Sequence, residues 1–179
     1  MRYVRDAKTF MSTKPVRLRP TVELADTASA IVAELEASLR ELLPACQIEH
    51  IGATSLPDGL TKGDVDVNIR ASQGDFPVVV ETLRGHFSVA QPHNWTESYA
   101  SFADSSRTLP VGLQVTVLGS PDDFLVPLRD LMRRDAELRH EYDRVKRDAA
   151  HLGPDGYWRA KNTLLTEIRD QIARSRSAQ

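Results

Sequence analysis

Residues 49–70, EHIGATSLPDGLTKGDVDVNIR, decide how the rest of the chain is read. Residues up to Ile51 read as a strand, Gly52-Ala53-Thr54-Ser55 as a tight turn, and residues 64–69 as a second strand. Alternate residues of a strand share a side. Asp64 and Asp66 are therefore expected to project together, while Val65, Val67 and Ile69 enter a core. Magnesium takes oxygen ligands, usually one or two carboxylates plus the phosphates of a bound ligand. A glycine turn lets backbone amides approach phosphate oxygens closely. The acid pair beside the turn is the pattern that a magnesium–nucleotide site requires, and Lys62 between them adds a point charge suited to phosphate.

Working outward, residues 16–19 alternate apolar and basic side chains and predict a short edge strand ended by Pro20. From residue 21 or 26 to 43, Ala28, Ile31, Leu35, Leu39 and Leu42 recur at steps of three and four, the stripe of a helix stopped by Pro44. Downstream, a helix is expected over 77–86 with Asp75 as a cap, a short strand over 87–90, a strand over 95–103 and a strand over 111–118. The last third is helical. A start signal lies at Ser120-Pro121, with Pro127 as a bend or the true beginning. A helix follows over 136–152, then a break at Gly153-Pro154-Asp155-Gly156, then a final helix over 157–174. The expected fold class is α+β, a mixed-sheet α/β core. The expected organisation is a tail at 1–15, a core at 16–119 and a helical extension at 120–179 packed on it.

The chain has 179 residues and a formal charge of −2, with 23 basic against 25 acidic side chains. That balance argues against broad nucleic-acid binding, which needs a basic surface, but not against a small phosphorylated ligand. Cys46 is the single cysteine, so the chain forms neither an internal disulfide nor a cysteine metal cluster. No apolar run approaches the roughly 18 residues of a membrane span. The first residues, with Met11 as an alternative start, lack a secretory core. A cytoplasmic protein without membrane partners is the expectation.

The combination Gly52-Ala53, a short link and Asp64-Val65-Asp66 resembles the signature of the nucleotidyltransferase superfamily with the DNA polymerase β-like fold. The longer run His50-Ile51-Gly52-Ala53-Thr54-Ser55-Leu56-Pro57, with Lys62 downstream, is similar to the GrpB family within it. Leu128-Arg129-Asp130-Leu131-Met132-Arg133, Glu141-Tyr142, Lys146 and Tyr157-Trp158-Arg159-Ala160-Lys161 resemble that family's helical region. The resemblance implies magnesium-dependent transfer of a nucleoside monophosphate from a nucleoside triphosphate to an acceptor that the sequence does not name. It makes Asp64 and Asp66 the metal-binding and catalytic acids. Gly52, Ala53, Thr54 and Ser55 become phosphate contacts, with Lys62, Arg129 and Lys161 as further phosphate-binding charges.

Two departures accompany the resemblance. The superfamily's third carboxylate belongs on a neighbouring strand, where residues 113–117 offer Gln114 and Thr116 instead; Glu97 and Asp122 are candidate substitutes. In many GrpB-like sequences an apolar residue stands at the place of Asp64, which aligns their acid with Asp66 and makes Asn68 its partner. A non-catalytic nucleotide- or phosphate-binding module, or a regulatory one, therefore stands beside the enzyme. His50 is a candidate phosphate-orienting group or a strand-end residue, and Trp95 and Tyr99 are base-stacking candidates or packing residues.

Overall fold

The structure, a computed structural model, describes residues 14–177; the expectations for the first residues of the tail and for Met11 lie outside them. The strands are β1 (Arg19–Pro20), β2 (Gln47–Ile51), β3 (Leu60–Thr61), β4 (Val65–Ala71), β5 (Ser88–Val89), β6 (Tyr99–Asp104) and β7 (Val111–Val117). The helices are α1 (Ala25–Leu42), α2 (Phe76–Arg84), α3 (Leu125–Arg134), α4 (Ala136–Ala149) and α5 (Gly153–Ser177). Five strands form a mixed sheet in the order β2-β4-β7-β6-β5, with β4 and β7 parallel and the other neighbours antiparallel. β1 and β3 form a separate two-stranded ribbon. This is the α+β fold the sequence predicts.

The two sheet faces carry different chemistry, and that difference sets up everything else. Val65, Val67, Ile69 and Ala71 of β4 lie beside Val111, Leu113, Val115 and Val117 of β7, all buried. They pack with Ala28, Ile31, Leu35 and Leu39 of α1 and with Val79 and Leu83 of α2 in one apolar cluster. Asp66, Asn68 and Arg70 stand on the opposite face, beside Gly112, Gln114 and Thr116. The C-terminal helices build a second cluster from Leu128, Met132, Tyr142, Leu164 and Ile168, which also takes in Leu56 from behind the Gly52 turn.

Four local expectations shift. The first strand lies at Arg19–Pro20 rather than 16–19, because the Val16 amide bonds the carbonyl of Ala150 at 2.8 Å and draws that segment toward the helices. Trp95 precedes its strand: its ring lies 5.3 Å from that of Phe102, its indole N–H donates to Ala90 O, and a turn closed by Thr96 N to Tyr99 O carries the chain into β6. Asp75 makes no side-chain cap; its carboxylate accepts from the Ser72 hydroxyl at 2.6 Å. The final helix begins at Gly153, not after Gly156, because Gly153 alone makes the turn at φ +72 and Pro154 needs no donor in a first helical turn. Of the two readings of Pro127, the structure takes the one near the helix start, in the first turn of α3.

Candidate functional site

Asp66 is the centre of the site, and two glycines hold it. Its cross-strand neighbours are Ile51 and Gly112. Gly52, the next residue along from Ile51, has φ +72, a conformation that favours glycine. A Cβ at Gly52 would collide with the Asp66 carboxylate, and one at Gly112 would sit 2.9 Å from Asp66 Oδ1 and 3.1 Å from Gln114 Nε2. The carboxylate thus lies in a slot between two backbones. Gly52 was legible as a turn. Gly112 was not singled out, although a glycine inside a strand is itself a sign of close approach.

Of Gln114 and Thr116, the two residues expected to stand in place of a third acid, Gln114 is the one beside Asp66. Its Nε2 donates to Asp66 Oδ1 at 3.2 Å, while its Oε1 is buried with no hydrogen-bond partner. Thr116 is turned to Asn68, whose Nδ2 donates to it at 3.0 Å and to Gln114 O at 2.8 Å. Neither substitute acid reaches the site. Asp122 accepts from the hydroxyls of Thr96 and Ser98, at 2.9 and 2.7 Å, and Glu97 lines a separate depression beside α2. Among the described residues no three acidic, histidine or cysteine side chains are grouped to hold a metal.

Asp64 precedes β4 and shares one cavity wall with Asp66. Lys62 pairs with it at 2.6 Å. Burial and the Asp64 charge push the Asp66 carboxyl up to about 6, against the pull of Lys161, Lys62 and the Gln114 amide. Lys161 is partly buried, and the desolvation works against its charge, but Tyr142, Asp66, Tyr157 and Asp64 together hold the ammonium firmly protonated. Its Nζ lies 4.7 Å from the centre of the Trp158 ring, and Lys62 lies 5.7 Å from the same ring. Two acids, two lysines and one indole therefore form a compact group of zero formal charge.

The turn's hydroxyls are turned to backbone carbonyls of the protein. Ser55 Oγ donates to Gly52 O at 2.7 Å, and Thr54 Oγ1 donates to Asp64 O at 3.3 Å and lies 3.1 Å from His50 Nε2. Ala53 opens the single 3-10 turn, which the backbone closes by Ser55 N–H to Gly52 O and Leu56 N–H to Ala53 O, each at 3.2 Å. Helix α3 braces the same turn. Arg133 donates twice to Ser55 O, and Arg129 donates to His50 O at 2.9 Å while pairing with Glu49 and Asp130. Arg129 is thus engaged with the turn and with two acids. Burial, then the charges of Arg133 and Arg129, lower His50 to about 4, so it is neutral at pH 7.

Two cavities meet at Asp66. The more polar one, about 230 Å³, includes Lys62, Asp64, Gln91, Tyr99, Ser101 and Gly112 in its lining. Gln91 is the one non-glycine residue with positive φ among the described residues, a strain that tends to be kept near functional surfaces. The second cavity, about 120 Å³, lies between α3 and α5 and is mostly apolar. Asp66, Gln114, Trp158 and Lys161 border both.

Helix α4 fixes the loop that leads into Asp64. The buried pair Lys146–Asp143 closes at 2.7 Å, Asp143 accepts from Leu60 N at 3.1 Å, and Lys146 donates to Leu60 O. Arg139 adds a paired contact to Asp58. The sequence placed Lys146 on the helices without this role; only chain reversal brings it against residue 60.

With this geometry in view, comparison with known proteins is informative. A UPF0157 protein of Vibrio cholerae is 26% identical over 136 residues, covering 76% of this chain and 72% of its own. The crystal structure of the conserved protein GrpB from Enterococcus faecalis superposes with a TM-score of 0.65 at 16% identity, over 87% of this chain and 96% of that one, and so has the same fold. A cytoplasmic RNA terminal U-transferase gives a TM-score of 0.45 at 14% identity, over 69% of this chain and 40% of that one, a likeness too loose to carry an activity across. The profile of the GrpB protein family matches residues 21–171, nearly the whole described chain, so the protein belongs to the GrpB family.

Proposed function

We propose that this chain binds a nucleoside triphosphate together with one divalent cation at the wall formed by Asp64 and Asp66. The observation that carries the reading is the Asp66 slot: a carboxylate held between Gly52 and Gly112, opening on a polar cavity, with the unpartnered Oε1 of Gln114 beside it. Two carboxylates and an amide oxygen are an all-oxygen donor set, the kind that suits magnesium. The donor set supports one ion rather than two, since Gln114 brings no charge for a second. A bound magnesium would offset the phosphates' negative charge.

The chain's own groups do the rest. Lys62 and Lys161 supply point charges for phosphate oxygens, exchanging their carboxylate partners for the ligand. Gly52 and Ala53 keep the turn backbone close. Thr54 and Ser55 hold that turn's shape, and Arg129 braces it from α3, so their service is to position it. Tyr99 and Trp158 line the same cavity. A small nucleotide in the cytoplasm, rather than a polynucleotide or a membrane, suits a chain of formal charge −2 in which no described helix is long and apolar enough to cross a membrane.

Nucleotidyl transfer to an acceptor is the second reading. It is favoured by the apolar cavity, which gives Asp66 a second side from which a molecule can approach.

Calorimetric titration of the full chain with magnesium–ATP, with magnesium alone and with ATP in a chelator tests the proposal. Binding is expected only for the pair, and Asp66→Asn weakens it at least tenfold. Undiminished binding by Asp66→Asn overturns the placement of the site. Pyrophosphate release with a panel of acceptors moves the conclusion to transfer.

A further inference from the structure

The apolar cavity between α3 and α5 shares Gly52, Asp66, Gln114, Arg129, Trp158 and Lys161 with the proposed nucleotide site, while the rest of its lining has no part in that reading. We propose that it binds a second small molecule, uncharged, carrying a compact apolar group about the size of one six-membered ring next to a hydrogen-bonding substituent. The size follows from the volume: about 120 Å³, close to the roughly 150 Å³ of an apolar cavity that takes benzene as a guest. The apolar character follows from Phe124, Leu128, Met132 and Leu165 in the lining. Methionine is the side chain best able to adapt to a guest's outline.

The neutrality follows from the pairing of the lining's charges. Arg129 is held by Glu49 and Asp130, and Arg169 by Asp170. An anionic guest would have to displace one of these partners. The hydrogen-bonding substituent follows from two polar groups at the cavity's edges. The Asn162 amide lines it from α5 and has no hydrogen bond among the described residues. The Gln114 carbonyl, buried and unpartnered, lies at the end shared with Asp66.

The site rests on its own lining and not on nucleotide binding. Its position means that a guest there meets the polar cavity at Asp66, Gln114, Trp158 and Lys161.

The test uses the full chain without nucleotide or magnesium, so its outcome is separate from that of the titration above. The chain's three methionines are Met1, Met11 and Met132. With ¹³C-methyl methionine, titration with benzyl alcohol is expected to give a saturable shift of the Met132 signal. Benzoate is expected to bind at least tenfold more weakly than benzyl alcohol. Leu165→Phe, which fills the space, reduces the affinity at least tenfold. Asn162→Leu weakens benzyl alcohol several-fold and leaves toluene unchanged, which decides the matter even where Leu165→Phe does not fold. No saturable shift of Met132, equal binding of benzoate, or an affinity untouched by both folded variants overturns the proposal.

Discussion

Lys146→Met is the most demanding single test of how the site is held. Lys146 is 1% exposed and Asp143 6%. The ammonium meets Asp143 at 2.7 Å, donates to Leu60 O, and lies 4.1 Å from the centre of the Tyr142 ring. Methionine matches much of the side chain's volume but removes the charge, leaving the Asp143 carboxylate buried against a single N–H, that of Leu60. Breaking a buried pair from one side costs about 3–5 kcal/mol. The surviving N–H places the expected loss near the lower end. At about 2–4 °C per kcal/mol for a domain of this size, the midpoint falls by roughly 6–15 °C. The assay is thermal and urea unfolding of both proteins, with amide exchange of residues 60–64 as a local readout. Those amides should exchange faster by more than the global loss explains, because the loop has lost its tie to α4. A loss under about 1 kcal/mol, with unchanged exchange at residues 60–64, refutes the reasoning. Asp143→Asn on the Lys146→Met background should recover part of the loss, since it removes the stranded charge.

Two further outcomes follow from the same geometry. His50 has a folded value of about 4, below its unfolded 6.5, so its contribution is intact above pH 6.5 and is lost as the pH falls toward 4. The half-buried ring makes this about 1–3 kcal/mol between pH 7 and 4.5; His50→Gln removes that part of the acid slope, and unfolding curves of identical pH dependence would count against it. Gly52→Ala forces a Cβ into the Asp66 carboxylate at a positive φ, and should cost about 1–3 kcal/mol. The same variant weakens magnesium–ATP binding more than Gly74→Ala does, since Gly74 lies outside the positive-φ region and a Cβ there meets only Ser72 Oγ, at 3.9 Å; equal effects of the two would detach the turn from the site.

The stretch 49–70 was readable because it is local. A strand's two-residue period puts Val65, Val67 and Ile69 on one face and Asp66 on the other whatever lies around them. The helical stripe of α1 is likewise a property of spacing, and Ala28, Ile31, Leu35 and Leu39 are buried as it requires. Residues 111–117 alternate clearly, so Gln114 and Thr116 could both be placed on the polar side of a strand, but not which of them meets Asp66. The sequence by itself therefore determined the α+β class, the sheet's apolar face and the place of Asp66 on the opposite face.

Tertiary structure decided what those acids meet. Parallel pairing of β4 with β7 brings Gly112 and Gln114 against Asp66 across 46 and 48 residues of chain, a distance that periodicity does not see. Return of α3 to β2 engages Arg129 with Glu49 and His50 and turns Arg133 onto Ser55. Docking of α4 and α5 closes Lys146 on residue 60 and sets Lys161 and Trp158 beside the acids. Long-range charges and backbones fix the pairing of each side chain, and they exist only once helices distant in sequence have packed on the polar face of the sheet.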